Sequence, residues 1–317
     1  MEKRKLGSTG FEVAPLAFGG NVFGWTVDEP TSFLLLDTFV DAGFNLIDTA
    51  DSYSRWVPGH AGGESETIIG RWIAKRGRHD DVVIATKIGS DMGLGYKCLR
   101  REYIMQGVEQ SLKRLQVDAI DLYQSHWDDE KTPFEETLET YSRLIERGKV
   151  RAIGASNLDA QRLASALGVS ARDGLPRYET LQPHYNLYDR GQFEGPLAEL
   201  CRREGLGVIT YFSLAAGFLT GKYRTAEDFS KSARGPGMKK YLNPRGLSIL
   251  AALDAVAKRY AATPAQVALA WVIAQPGVTA PIASATSLPQ LDELIGGTRL
   301  ALDGEALRAL DEASAET

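Results

Sequence analysis

Residues 44–53, FNLIDTADSY, form an apolar run that ends in one carboxylate, Asp48, with a phenol, Tyr53, five positions further on. The first six residues have the content of a buried strand, and the polar residues after them read as loop. Seven other runs share this form, at 13–18, 82–87, 120–125, 150–155, 180–182, 207–211 and 278–283. Between them lie segments of helical period at 32–42, 64–74, 102–115, 134–146, 158–167, 193–203 and 264–274. Strands alternating with helices pair in parallel, and eight such units close into an α/β fold, the (β/α)8 TIM barrel.

Punctuation between the runs agrees. Thr132 before Pro133 and Thr263 before Pro264 are expected helix caps, and Gly43, Gly77, Gly148 and Gly205 stand where helices end. Residues 6–13, LGSTGFEV, read as an N-terminal β-hairpin that could plug the barrel bottom. A connection at 212–245 leads to an extra helix at 247–259, and loops this long are usually functional or mobile. No repeat or linker divides the chain, so one barrel domain over 1–317 is expected.

The 317 residues carry 36 basic and 41 acidic side chains, a net charge of −5, without the basic run that would track a phosphate backbone. No nucleic-acid partner is expected. Cys98 and Cys201 are far apart and lack the spacing of a disulfide framework or zinc site, which suits a reducing cytoplasm and no metal. The N-terminal segment has no apolar signal core, and no stretch is long and apolar enough for a membrane span. Oligomeric state is not legible.

Barrel sites sit at the C-terminal ends of the strands. Asp48 ends the second strand, Tyr53 follows it, Lys87 closes the third and His126 closes the fourth, so all four converge on one rim. A phenol is a poor acid at neutral pH, and an adjacent ammonium that stabilises the phenolate should lower its pKa. Lys87 is the expected activator, Asp48 its counter-charge, and His126 a hydrogen-bonding group for a carbonyl oxygen. Such a cluster suits acid catalysis at a carbonyl. Lys87 as the nucleophile of a Schiff-base barrel is disfavoured, because a lysine kept charged by Asp48 is not nucleophilic.

The motifs LGSTGFEVAPLAFGG, NLIDTADSY, ATK, LYQSHWDD, IGASNL, LQPHYNLYDR, GFLTGKY and PIASATSLPQL, in this order almost end to end, make the chain resemble the aldo-keto reductases. The resemblance implies a barrel that transfers hydride from an extended nicotinamide cofactor, with Asp48, Tyr53, Lys87 and His126 as catalytic tetrad. It places Ser156, Asn157 and Gln182 on the carboxamide and Tyr211 under the nicotinamide ring. Leu214, Gly217, Leu219 and Lys222 fall at the pyrophosphate, and Ser284, Thr286, Ser287 and Gln290 at the adenosine end. NADP(H) is the implied cofactor, with NAD(H) the alternative because the last helix lacks the family's common cation. His184 departs from the pattern, since an acid often precedes the Tyr-Asn pair. Trp25, Trp56 and Trp127 follow strands and are expected to wall an aromatic pocket for a small carbonyl substrate. Similar barrels also serve as potassium-channel subunits, so a regulatory, channel-associated role is the second implied function.

Overall fold

Strands β1 (Arg4–Lys5) and β2 (Glu12–Val13) pair antiparallel around the expected hairpin turn. The computed structural model describes residues 2–315; Met1, Glu316 and Thr317, the ends of the expected domain, lie outside the described residues. The hairpin seals the bottom of the barrel, where Leu6 and Val13 pack into the same apolar cluster as the inward side chains of Ala17, Leu46, Val83, Leu122, Ile209 and Ala280. Gly7 is required there. Its φ is +58°, and a Cβ would stand 2.2 Å from the Glu179 carbonyl oxygen at the foot of the barrel.

The barrel strands are β3 (Ala17–Gly19), β4 (Leu46–Asp48), β5 (Val83–Ile88), β6 (Ile120–Ser125), β7 (Val150–Ser156), β8 (Thr180–Gln182), β9 (Gly207–Thr210) and β10 (Val278–Ala283). They hydrogen-bond in parallel in sequence order, and β10 closes the ring onto β3. The expected fold class is therefore observed. Nearly every strand residue is buried, as it must be when side chains fill the barrel on one face and meet helices on the other.

Helices α1 (Glu29–Asp41), α2 (Glu64–Arg76), α3 (Arg101–Leu115), α4 (Phe134–Glu146), α5 (Ala160–Asp173), α6 (Pro196–Glu204), α7 (Pro244–Tyr260), α8 (Pro264–Ala274), α9 (Leu288–Thr298) and α10 (Gly304–Ser314) surround the ring. The first helix, expected from Ser32, begins three residues earlier, where Asp28 caps it by accepting from the Thr31 amide at 2.9 Å. Thr263 forms a reciprocal capping box with Gln266. The Thr132 cap is not formed: its hydroxyl donates to Asp129 at 2.7 Å, and α4 starts without a side-chain cap. Gly43, Gly77, Gly148 and Gly205 all have positive φ, as expected at helix ends. The long connection is ordered into three short 3-10 segments, Ala215–Thr220, Ala226–Lys231 and Gly235–Lys240. Among the described residues no helix is long and apolar enough to cross a membrane.

Candidate active site

The register of β4 and β5 sets Asp48 opposite Ala85, so Lys87, two residues on, shares its inward face one step nearer the rim. The two side chains are essentially inaccessible and meet at 2.8 Å. Lys87 Nζ also donates to the Thr49 carbonyl at 2.7 Å and the Tyr53 hydroxyl at 2.8 Å, which satisfies all three of its protons. Tyr53 donates to Asp48 Oδ2 at 3.1 Å, and Gln182 Nε2 donates to Asp48 Oδ1 at 2.8 Å. Both carboxylate oxygens are thus held, which offsets the cost of burying the ion pair.

The expected fall in the Tyr53 pKa is not what this geometry produces. Burial, and next the Asp48 carboxylate that accepts its proton, push the phenol well above its ordinary range. Burial also lowers Lys87, with Asp48 opposing. Tyr53 therefore keeps its proton at neutral pH. Sequence reasoning weighed the ammonium and missed that the carboxylate touches the phenol as well.

His126 lies one residue past β6, half-buried, its ring edge-on to Tyr53 at 6.1 Å. Burial, then Lys87 and Lys97, hold it well below the usual imidazole range, so the ring is neutral. Ser90 Oγ lies 2.9 Å from its Nδ1, and Ser52 Oγ 3.5 Å. Neither serine was singled out in the sequence; Ser90 sits three residues beyond Lys87 on the next loop.

These groups floor a cleft of ≈ 980 Å³, at the upper end of the ~300–1,000 Å³ typical of ligand pockets. On one side Ser156, Asn157, Gln182 and Tyr211 come together: Asn157 donates to the His126 carbonyl, Ser156 to the Gln182 carbonyl, and Tyr211 to Asn157 Oδ1 at 2.7 Å. Further along are Leu214, Gly217 and Lys222, then Ser284, Thr286 and Gln290. Ser284 donates to Asn21, and Gln290 Oε1 accepts from the amide and hydroxyl of Thr286.

Three expected residues do not line the cleft. Leu219 is fully buried with its amide bonded to the Leu214 carbonyl, Ser287 precedes α9 without a side-chain cap bond, and Trp25 packs edge-on to Trp56 at 5.5 Å. Trp56 and Trp127 do line it, Trp127 stacked on His126. Arg234, in the long connection, lines the cleft towards its Tyr53 end, with its guanidinium over Trp25 and its Nη2 buried without a hydrogen-bond partner. No periodicity in 212–245 could have revealed it.

A half-open cleft lined by Asn157, Gln182 and Gln290 leads to a Tyr–Lys–Asp cluster at the C-terminal rim of the (β/α)8 barrel. The chain belongs to the aldo/keto reductase family, whose profile matches residues 15–315. It is 34% identical to "Aldo-keto reductase YhdN" of Bacillus subtilis, over 96% of this chain and 91% of that one. It is 35% identical to "Uncharacterized oxidoreductase YrpG" of the same organism, over 98% and 95%. It is also 33% identical to a "Probable voltage-gated potassium channel subunit beta" of Arabidopsis thaliana, over 92% and 90%.

Proposed function

We propose that the chain is a single-domain, NAD(P)H-dependent reductase of aldehydes and ketones, able to run in reverse as an alcohol oxidation. The observation that carries this reading is the Tyr53 hydroxyl held between Lys87 and Asp48 on the cleft floor. The donor set fits the cofactor. Asn157, Ser156 and Gln182 both donate and accept, as a carboxamide requires, Tyr211 offers a ring, and Lys222 suits a phosphate. By family resemblance NADP(H) is preferred, with NAD(H) the alternative. When bound, the reduced nicotinamide supplies the hydride.

The side chains do the rest. Tyr53 gives its proton to the carbonyl oxygen as negative charge develops there, and Lys87, already hydrogen-bonded to the phenol oxygen, stabilises the phenolate left behind. Asp48 holds Lys87 in register. Neutral His126, with Ser90 on Nδ1, offers an Nε2 proton to orient the same oxygen. Trp56 and Trp127 give the substrate end an aromatic wall and keep water from it. Two buried free thiols suit a reducing, cytoplasmic setting.

The test is single-turnover oxidation of bound NADPH by a panel of carbonyls, beside equilibrium NADPH binding. Failure of NADPH to bind, or cofactor oxidation at the wild-type rate in Tyr53→Phe, would overturn the reading. A second reading, a cofactor-binding regulatory subunit of a channel, draws support from the similarity to plant proteins named as probable voltage-gated potassium channel beta subunits. It predicts tight cofactor binding with no carbonyl turnover across the panel.

A further inference from the structure

Arg234 brings to the cleft wall a positive charge that no carboxylate of the described residues pairs. Other cations of the same connection are matched: Arg224 meets Asp254 at 2.8 Å and Lys231 meets Asp228 at 2.7 Å. The Arg234 guanidinium instead lies over the Trp25 ring, 5.3 Å from its centroid, with Nη2 buried and without a hydrogen-bond partner. Burial pulls it down from the usual guanidinium range, and only the Tyr223 and Tyr53 phenols oppose that fall. A guanidinium stays charged through such a shift, so a partly desolvated cation faces the cleft.

Its place is the end of the cleft where the proposed reading sets the carbonyl. Trp25 is edge-on to Trp56 at 5.5 Å, and the Trp56 ring stands 6.2 Å from that of Tyr53, so aromatic surface runs from the proton donor to the guanidinium. Arg234 and Tyr53 are close enough for their charges to act on each other. Lys222 lies on another stretch of the wall, beside Gly217, and remains for the phosphates.

The connection fixes the arginine before any ligand arrives. Its amide donates to Ser232 Oγ at 3.3 Å, Ser232 is bonded to the Tyr223 hydroxyl at 2.6 Å, and Gly235 packs so closely that a Cβ would stand 1.8 Å from the Phe229 carbonyl oxygen. Backbone and Trp25 ring together hold the cation in place, and a group already ordered loses little freedom on binding.

We propose that Arg234 is a substrate clamp that selects carbonyl compounds carrying a carboxylate. This rests on the reductase reading, which puts the carbonyl oxygen at Tyr53. The carboxylate accepts from the guanidinium, the unmet Nη2 included, while the aldehyde or ketone end reaches Tyr53 and the spacer lies along Trp56. A guanidinium fork matches the two oxygens of this planar anion. A neutral carbonyl leaves the buried charge unpaired. Trp25, which does not line the cleft, then serves as a positioning residue through the guanidinium on its face.

The experiment is steady-state reduction of meta- and para-formylbenzoate with NADPH, each beside its methyl ester, which keeps the ring and the aldehyde and loses the charge. In wild type, kcat/KM should favour at least one acid over its ester. Arg234→Gln should lower that acid-over-ester ratio about fivefold or more, through KM rather than kcat, and Arg234→Lys should recover part of it, because an ammonium keeps the charge and loses the fork. NADPH dissociation constants are measured on the same proteins. A ratio of one or less for both acids in wild type, or a ratio unchanged in Arg234→Gln, overturns the clamp and leaves the reductase reading standing. So does a fall in activity that follows a loss of NADPH affinity and is equal for acid and ester. No turnover of acids, esters or the wider carbonyl panel overturns the reductase reading and the clamp together.

Discussion

Gln182 and Asp48, 134 positions apart in the chain, are joined by a 2.8 Å hydrogen bond from the Gln182 amide to Asp48 Oδ1 across the barrel. One amide thus lies against the proposed carboxamide site and also satisfies the counter-ion of Lys87. Gln182→Leu should leave a buried carboxylate oxygen without its donor and lower stability by about 1–3 kcal/mol. Urea unfolding checks that value, and fluorescence titration should show weakened cofactor binding in the same variant. Unchanged stability would mean that water replaces the amide.

Tyr53→Phe removes one hydroxyl between Lys87 and Asp48 and should slow the reductive step by about 10²–10⁴-fold while cofactor affinity holds. Lys87→Met should be as slow and far less stable, by about 3–5 kcal/mol, because it strands Asp48 as a buried unpaired charge. Stopped-flow cofactor oxidation and denaturant midpoints separate the two effects.

Asp51 gives a pH prediction. It is 5% exposed with Oδ1 unpartnered, and burial, followed by the Glu66 carboxylate, raises its folded pKa to about 8. An acid raised in the folded state binds more protons there than in the unfolded chain, so its contribution to stability is lost as pH rises from about 4 to 8. Asp51→Asn abolishes that loss. Its stability relative to wild type should climb with pH across this interval, by at most about 1.4 kcal/mol per unit. Urea unfolding of both proteins at pH 5 and 8 measures it, and a constant difference would show Asp51 already ionised when folded.

Arg234 reaches the cleft from the long connection with an unmet donor. Because it stands over Trp25 towards Tyr53, Arg234→Met should raise KM severalfold for carbonyls that carry a carboxylate and leave the affinities for NADPH and NADH nearly unchanged. Steady-state kinetics on paired neutral and carboxylate-bearing aldehydes, beside calorimetric NADPH titration, tests this. A loss of NADPH affinity alone would place the guanidinium on the cofactor instead.

Trp56, 51% exposed on the cleft wall, is the cleaner probe of substrate selection, since Trp127 also stacks on His126. Trp56→Ala should raise KM for bulky aromatic carbonyls severalfold and leave NADPH affinity unchanged. Steady-state kinetics on paired small and aromatic aldehydes would show it, and a loss of cofactor affinity would argue that the indole supports the Tyr53 loop instead.

What the sequence determined by itself was periodic or local. Strand and helix alternation follows from side-chain spacing along a few residues, so the barrel, its hairpin and the strand-end positions of Asp48, Lys87, Gln182 and Tyr211 were legible, as were the capping box at Thr263 and the left-handed glycines. The Thr132 cap failed because a competing acceptor, Asp129, lies three residues back and is nearer in the folded loop. Only the tertiary structure decided the rest. The sign of the Tyr53 shift depends on burial and on which of two opposite charges touches the phenol; the entry of Arg234 depends on how an aperiodic loop crosses the cleft. The setting of His184 depends on a stack between the segments following two strands. Each is a distance between residues remote in the chain, and electrostatic and packing energies act through distance in space, which no local pattern of residue types encodes.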